Sequence, residues 1–292
     1  MKNIDLHFVR VFAAGKEGGN PAPVVLGADH LSDREMQSIA KTYGHESAFV
    51  CAPHYLNHTF RFRFFVPGHE MEMCGHATLG ALWLLRHLGV WTASHATIET
   101  MSGIVDARLD EDTQAIEISQ PKGIVEAIDD KALVAATLEV LGLREQDLLP
   151  LSIVNASTSR VKTLISVSSV AGIHGLKPSF DDVRILCDAL GSTGLYPFAI
   201  DTQRPLSFHA RQFPRSSGYP EDAATGIAAA ALLYGAKHYG LLEGETAGAI
   251  VHQGFAMGKP SRISVEFRDQ RRADQGCWIS GPVELTTLQP AS

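Results

Sequence analysis

Residues 71–85 place a cysteine, a glycine and a histidine directly before an apolar run, in the order MEMCGHATLGALWLL. Cys74 offers a thiol nucleophile, and His76 offers a general acid or base, or a metal ligand. The same residues could instead begin a helix whose first N–H groups bind a ligand. Residues 221–227, EDAATGI, form a second start of this kind and carry Asp222 as the candidate for chemistry.

Both apolar runs are predicted to be helices that are buried on every side. Residues 77–88 and 227–236 show no polar face, and a helix without one is buried all round. A sheet curled around each helix is the simplest architecture with this property. Free N–H groups and the helix dipole at the glycine-rich starts favour an anion. If the two halves face each other, we expect a pocket for a small carboxylate flanked by Cys74, His76 and Asp222; plain helix caps are the alternative.

The elements in front of the two apolar helices repeat along the chain. Each half is predicted to contain an amphipathic helix, two strands, a polar loop and the apolar helix. Ser32 and Glu35 have capping-box spacing at the start of the first amphipathic helix. The helix and two strands are predicted over 32–43, 46–52 and 59–66, and again over 181–191, 195–200 and 206–213.

This repetition predicts an α+β fold of two pseudo-symmetric domains, each a barrel-like β-sheet wrapped around a central apolar helix. We expect the first domain over 1–118, completed by the C-terminal segment, and the second over 119–275. The link is predicted within residues 110–130, which are polar and acidic and contain a Pro-Lys-Gly turn.

Composition excludes several classes of function. The 292 residues carry a net charge of −7 and no Lys/Arg cluster, so nucleic acid is not an expected partner. No apolar run reaches the roughly 20 residues of a membrane span, and the start lacks the apolar core of a signal peptide. We therefore expect a cytoplasmic protein without membrane contact. The four cysteines form no C-x-x-C pair, which argues against a disulfide framework and a structural zinc site.

Five segments in order along the chain resemble the PhzF-like family, which is named for phenazine biosynthesis. They cover the chain from Gly18 to Val265 and read GGNPAPVV, HESAFV, RFFVPGHEMEMCGHATLGALWLL, RQFPRSSGYPEDAATGIAAAALL and HQGFAMGKPSRISV. The resemblance implies a fold like that of diaminopimelate epimerase, with two similar domains. It also implies an isomerase that needs no cofactor, and a homodimer, since family members commonly dimerise.

The best-understood member of the family isomerises trans-2,3-dihydro-3-hydroxyanthranilate by moving a proton between carbons. By resemblance, the catalytic residues here are Glu46 of HESAF as the acid/base, with His76 and Asp222. The resemblance places substrate binding at Asn20, next to Gly19, and at the N–H groups of Gly75 and Gly226, which would hold the substrate carboxylate. A carboxylate in a closed, partly apolar site can exchange a proton near neutral pH, which suits Glu46. The alternative for Glu46 is an exposed turn residue.

Cys74 is predicted not to be the base. Two-base racemases of the related fold carry one cysteine before each central helix, whereas this chain has Asp222, Ala223 and Ala224 before the second. Cys74 is therefore expected to be a small, semi-buried residue at a substrate-binding helix start. His76 lacks partners at metal-ligand spacing, so no metal is expected and a role as hydrogen-bond donor or proton relay is favoured. Asp222 is expected to orient a polar group of the substrate or His76.

Ile227 departs from the family pattern, which commonly has a serine after the glycine of TGS. The missing hydroxyl is expected to contact substrate in the phenazine enzyme, so we expect a different substrate here. An epimerase or racemase that uses Glu46 with another base is a second hypothesis. A binding or interaction protein that lost catalysis is a third, and the presence of Glu46, His76 and Asp222 together argues against it.

Overall fold

A computed structural model describes residues 4–242, 248–269 and 272–291, and these form two compact units. The first unit comprises the described residues through Ser119 and those from Ser280 onward, and the second runs from Gln120 to Ile279. Within the described ranges, no helix combines the length and apolar character needed to cross a bilayer.

The first unit contains nine strands and two α-helices among its described residues. The strands are Asp5–Val11 (β1), Asn20–Leu26 (β2), Ser47–Cys51 (β3), Phe60–Phe65 (β4), Glu70–Met71 (β5), His95–Thr100 (β6), Gly103–Leu109 (β7), Ile116–Gln120 (β8) and Val283–Leu285 (β18). The helices are Asp33–Tyr43 (α1) and Gly75–His87 (α2).

The second unit contains the remaining strands and helices. The strands are Ile124–Ala127 (β9), Val154–Ser157 (β10), Val161–Ser166 (β11), Gly194–Ile200 (β12), Ser207–Ala210 (β13), Phe213–Pro214 (β14), Gly248–Gln253 (β15), Ser261–Phe267 (β16) and Cys277–Ser280 (β17). The helices are Lys131–Leu141 (α3), Val170–Gly175 (α4), Phe180–Leu190 (α5) and Gly226–His238 (α6).

Helix α2 lies at the centre of the first unit. Neighbouring strands follow the order β18, β1, β2, β3, β4, β6, β7, β8, with parallel pairs only at β2–β3 and β4–β6 among these neighbours. Strands β1, β2, β3 and β18 all pack against α2. A Cβ on Gly80 would lie 2.7 Å from Cγ2 of Val9 and 2.9 Å from Cγ2 of Val11. The glycine therefore allows the helix to lie directly on β1.

Helix α6 has the same position in the second unit. Neighbouring strands follow the order β9, β10, β11, β12, β13, β15, β16, and the parallel pairs are β11–β12 and β13–β15. Strands β9, β10, β11, β15 and β16 pack against α6, whose residues from Ala228 to Ala236 are all buried. Helices α3 and α5 pack together on an outer apolar core that includes Leu141, Leu186 and Leu190.

The two units repeat one order of elements. An 11-residue helix, two strands, a two-residue strand and a 13-residue apolar helix follow one another in each: α1, β3, β4, β5, α2 and α5, β12, β13, β14, α6. Each of the two longer strands also enters a parallel pair at the corresponding place. The predicted fold class, a sheet around an apolar helix in each of two similar α+β domains, is confirmed.

Two local predictions differ from the structure. The strand predicted over 206–213 is divided into β13 and β14, although both keep one register along β12. Arg211 faces Pro197, which has no N–H to donate, so the ladder is interrupted there. Residues 110–130 contain the boundary between the two units, at Ser119 and Gln120, but they are less polar than predicted, because β8 lies within them and all five of its residues are buried.

Candidate active site

Glu46 is placed by the ends of two elements. Helix α1 begins with the predicted capping box: Ser32 N donates to Glu35 Oε2 at 2.7 Å, and Glu35 N donates back to Ser32 Oγ at 3.4 Å. The helix ends at Gly44, whose φ of 69° is a conformation that favours glycine. Glu46 then directly precedes β3, a strand with every residue buried. A rigid helix end and a buried strand thus fix the backbone on both sides of Glu46.

Cys74 is the N-cap residue of α2, and His76 lies in the first turn. Both the N–H and the hydroxyl of Thr78 donate to Cys74 O, at 2.9 and 2.8 Å. The thiol of Cys74 makes no capping hydrogen bond to its own helix. The side chains of Cys74 and His76 are therefore oriented by the helix start without being used to complete it.

The structure brings Glu46, Cys74 and His76 together. Cys74 Sγ lies 3.7 Å from Glu46 Oε2, within reach for a thiol to donate, and 3.4 Å from His76 Nδ1. His76 Nδ1 lies 3.3 Å from Glu46 Oε2. The Glu46 side chain is 15% exposed and that of His76 is 6% exposed. A partly buried carboxylate beside two groups that can exchange protons is suited to general acid/base chemistry.

The same three side chains are a possible set of metal ligands. Their nearest ligand atoms all lie within 4.8 Å of one another. Zn²⁺ accepts nitrogen, sulfur and carboxylate ligands at about 2.0–2.3 Å, which places tetrahedral ligands roughly 3.3–3.6 Å apart. The sequence argument against a metal used only the spacing around His76, and it missed these partners. The prediction that no metal is required therefore depends on experiment.

The N-cap side chains of α2 and α6 do not accept hydrogen bonds from the N–H groups of the first turn. Neither Cys74 nor Thr225 makes a side-chain capping bond, and neither does Ser179 at the start of α5. Ser32, Asp130 and Ser169 cap their own helices. Uncapped N–H groups and the positive end of the helix dipole are the features that bind carboxylates. The backbone around Gly75 and around Gly226 has the chemistry predicted for substrate binding.

Asn20 begins strand β2, opposite Val11 on β1. The preceding Gly19 has a φ of 86°, and a Cβ on it would lie 2.7 Å from Val11 O. Only glycine fits this close approach without strain. The backbone conformation at position 19 thus explains the glycine of the Gly-Asn pair. A role for Asn20 in substrate binding stays a prediction.

In the second unit, Asp222 belongs to a buried hydrogen-bond network. Thr225 Oγ1 donates to Asp222 Oδ2 at 2.5 Å, and Gln253 Nε2 donates to Asp222 O at 2.8 Å and to Thr225 Oγ1 at 3.1 Å. Tyr196 in turn donates to Gln253 Oε1 at 2.9 Å. Burial raises the pKa of Tyr196, so it remains a donor at all ordinary pH values. The network fixes Asp222 at the start of α6, and Ile227, partly buried, is the second residue of that helix.

A buried ion pair lies beside Asp222 in the sequence. Arg211 donates to both carboxylate oxygens of Glu221, at 2.9 and 2.7 Å, and to the carbonyls of Ile173 and Leu176 at 3.2 and 2.8 Å. The sequence analysis missed Arg211 and Glu221, although both lie in the quoted motifs. The two residues are ten positions apart and do not share a helix or a strand, so no helix or strand periodicity relates them. Their opposite charges within one motif are the only sequence signal for the pair.

Comparisons with known proteins give a consistent result. The profile of the family described as "Phenazine biosynthesis-like protein" matches residues 9–283. The chain is 30% identical over 278 residues to the uncharacterized isomerase YfhB of Bacillus subtilis, covering 92% of each chain. It is 30% identical over 288 residues to trans-2,3-dihydro-3-hydroxyanthranilate isomerase of Pseudomonas chlororaphis, again covering 92% of each. A crystal structure of a Bacillus anthracis phenazine biosynthesis protein of the PhzF family matches with a TM-score of 0.87, 27% identity and full coverage of both chains.

Proposed function

Because the chain belongs to the phenazine biosynthesis-like protein family, we propose that it is an isomerase that moves a proton between two carbons of a small carboxylate, without a cofactor. Glu46 is the general acid/base. The observation that carries this proposal is the contact of Glu46 Oε2 with Cys74 Sγ and His76 Nδ1 at the start of α2. Relatives named as isomerases support the reaction class.

The reaction follows from the properties of one carboxylate. Glu46 takes a proton from an acidic C–H of the substrate. The electron pair of that bond forms a new double bond to the neighbouring carbon, and the π pair of the existing double bond moves to the carbon at its far end. Glu46 exchanges its proton with solvent through His76 and then protonates that far carbon, so the enzyme ends unchanged and the product carries a solvent proton. His76, 3.3 Å from Glu46, stabilises the carboxylate by donating a hydrogen bond or relays its proton. The N–H groups at Gly75 bind the substrate carboxylate.

The geometry disfavours Glu46 and Cys74 as the two bases of an epimerase. In a two-base mechanism the bases lie on opposite faces of the reacting carbon, each with its heavy atom about 3 Å from that carbon. Cys74 Sγ lies only 3.7 Å from Glu46 Oε2, which leaves no space for a carbon between them. An epimerase would therefore need a second base outside this cluster.

We extend the proposal to substrate contacts by Asp222, Gly226 and Ile227. The support is that α6 starts like α2, with a glycine in its first position and an N-cap side chain that makes no capping bond. Asp222 fixes the helix start through Thr225. If the substrate carboxylate binds at Gly226, replacing Asp222 by Asn should therefore weaken substrate binding and raise KM.

The proposal is tested by proton exchange with solvent. A bacterial metabolite extract is incubated in D₂O with the wild-type protein or with Glu46→Gln, and compounds that gain one deuterium are identified by mass spectrometry. We expect at least one small carboxylate to gain deuterium only with the wild type. A shifted double bond in that compound supports the isomerase, and inversion at one carbon identifies an epimerase. Equal labelling by both proteins, or no labelling, contradicts the proposal.

We also propose a cytoplasmic homodimer. The support for the compartment is that all four cysteines are buried thiols that form no disulfide, as is usual where thiols stay reduced. The support for the dimer is the resemblance to family members that dimerise. Light scattering at micromolar protein concentration tests it, and a monomer mass would contradict it.

A further inference from the structure

A pocket of about 470 Å³ opens in the second unit, and none of its lining residues belongs to the start of α6. Its walls come from the start of α4, from the end of β12 and the turn after it, from β13 and β15, and from the short helical turn Phe255–Met257. The volume lies within the usual range for sites that hold a small molecule. The residues that give the pocket its chemistry are Asp201, Arg204, His209, His252 and Phe255.

One wall of the pocket is aromatic and partly open to solvent. Phe255 is 42% exposed, which is unusual for so large an apolar side chain. Its ring lies 5.3 Å from the ring of His209 at an interplanar angle of 62°, and 6.0 Å from that of His252 at 84°. The rings of His209 and His252 stack at 5.0 Å. A flat apolar group in the pocket would cover Phe255 and gain aromatic contacts.

Two opposite charges lie three residues apart in the turn of the pocket. Asp201 Oδ1 accepts from Gln203 N at 3.0 Å, and the nearest basic group to its other oxygen is His209 Nε2 at 3.7 Å. Asp201 and Arg204 form no ion pair with each other in the part of the chain that the structure describes. Each therefore has capacity for a charged ligand group.

The histidines of the wall do not neutralise Asp201. Burial, together with the neighbouring His252 and His174, lowers the pKa of His209 to about 4. Burial also lowers the pKa of His252. Both rings are uncharged at neutral pH, so the charge of Asp201 stays available to a cation. Nδ1 of each ring is buried without a hydrogen bond, which leaves Nε2 as the nitrogen of each ring that a ligand can reach.

A metal ion does not fit this group as well as an organic ligand does. Within the described residues, Asp201, His209 and His252 do not bring their ligand atoms within 4.8 Å of one another.

We propose that this pocket binds a zwitterionic aromatic amino acid, with its ammonium group at Asp201, its carboxylate at Arg204 and its ring against Phe255. The three groups of the ligand match the anion, the cation and the exposed aromatic ring of the pocket. This site is separate from Glu46 and does not depend on the isomerase proposal.

Three probes test the three contacts on the full-length protein. L-phenylalanine carries all three groups, 3-phenylpropanoate lacks the ammonium group, and L-alanine lacks the ring. Isothermal titration calorimetry measures each Kd, and the NMR signals of His209 and His252 report whether the probe occupies this pocket. We expect L-phenylalanine to bind and to shift both histidine signals. Each of the other probes is expected to bind about tenfold more weakly, the effect of losing one charged or aromatic contact.

Variants separate the two charges. Arg204→Gln is expected to raise the Kd of L-phenylalanine and that of 3-phenylpropanoate by about tenfold each. Asp201→Asn is expected to raise the Kd of L-phenylalanine only, because 3-phenylpropanoate has no ammonium group that could contact Asp201. Arg184→Gln, which removes an exposed arginine on α5 that does not line the pocket, is the matched control and should leave both Kd values unchanged.

Three results would overturn the proposal. They are no binding of L-phenylalanine at millimolar concentration, binding of L-alanine as tight as that of L-phenylalanine, and binding that shifts neither His209 nor His252. Since Arg204 is in an exposed turn, its replacement tests the pocket without endangering the fold.

Discussion

Cys74 Sγ lies 3.7 Å from Glu46 Oε2, although 28 residues of sequence separate them. The contact joins the residue before β3 to the N-cap of α2, and His76 Nδ1 lies close to both. The acid/base that the sequence motif predicts therefore has two proton-exchanging neighbours in the same unit. Each neighbour makes the role of Glu46 testable in a different way.

Replacing Glu46 by Gln should abolish turnover while leaving the fold intact. The amide keeps the shape of the side chain but cannot accept and return a proton, which typically costs about 10²–10⁴-fold in rate. Glu72→Gln is the matched control, because Glu72 is exposed and lies in the segment just before Cys74. Circular dichroism checks the fold, and kcat or deuterium exchange checks the chemistry. A kcat above roughly a tenth of the wild-type value would remove Glu46 from the mechanism.

Cys74→Ser should be nearly silent in catalysis. Serine keeps a donor at this position, and a shift of about 1 Å by the Glu46 side chain brings Oε2 within hydrogen-bond distance of its hydroxyl. Cys74→Ala removes that donor and should lower kcat by about fivefold to tenfold, the effect of one hydrogen bond of about 1 kcal/mol. Steady-state kinetics of the two variants decides the matter. If the serine variant lost activity as completely as Glu46→Gln, the thiol itself would be part of the chemistry.

Catalysis should need no metal, and added Zn²⁺ should inhibit. Zn²⁺ bound by Glu46, Cys74 and His76 would occupy the carboxylate that has to exchange a proton. The measurements are activity after treatment with EDTA, activity with added ZnCl₂, and the metal content of the purified protein. Cys74→Ser should be less sensitive to Zn²⁺, since it loses the thiolate ligand. Inactivation by EDTA with recovery on adding Zn²⁺ would show a metalloenzyme instead.

Trans-2,3-dihydro-3-hydroxyanthranilate should be a poor substrate. Ile227 offers no donor or acceptor, and a polar substrate group facing it would lose its hydrogen bonds to water at a cost of about 1–3 kcal/mol. Ile227→Ser should raise kcat/KM for this compound by about tenfold or more, whereas Ile227→Val should leave it unchanged. A wild-type kcat/KM of about 10⁴ M⁻¹s⁻¹ or higher, the ordinary range of enzymes, would show that the isoleucine does not restrict the substrate.

Glu221→Gln should destabilise the protein strongly. The change leaves the guanidinium of Arg211 buried without its anion, and breaking a buried pair costs about 3–5 kcal/mol. The control is Asp188→Asn, which breaks the ion pair with Arg215, where both side chains are nearly half exposed; we expect a loss below about 1 kcal/mol. Urea denaturation measures both. Similar losses in the two variants would mean that the buried pair has no special weight in stability.

The sequence predicted those features that depend on neighbouring residues. Capping-box spacing located α1, and the absence of a polar face located α2 and α6 as buried helices. Motif order indicated the family and the isomerase class, and both are supported by the comparisons. Each of these features is determined by residues within one helix or one motif, so their spacing along the chain is enough to predict it.

Features that depend on distant residues could not be predicted in this way. The contact of Cys74 with Glu46 requires α2 and β3 to be packed, and no spacing encodes it. The break between β13 and β14 depends on Pro197 in a neighbouring strand. The roles of Asp222 and Ile227 stay predictions, because the structure gives their hydrogen bonds and burial but no bound substrate.

Strand β18 has a consequence for how the protein is made. It pairs with β1, with Leu285 opposite Val9, and packs against α2 in the first unit. On the ribosome, residues 120–279 emerge before β18 does. The second unit can therefore fold before the first unit has its last strand. Until then, β1 has an open edge and α2 lacks part of its cover. Strand β1, the first to be synthesised, is therefore among the last to gain both of its neighbouring strands.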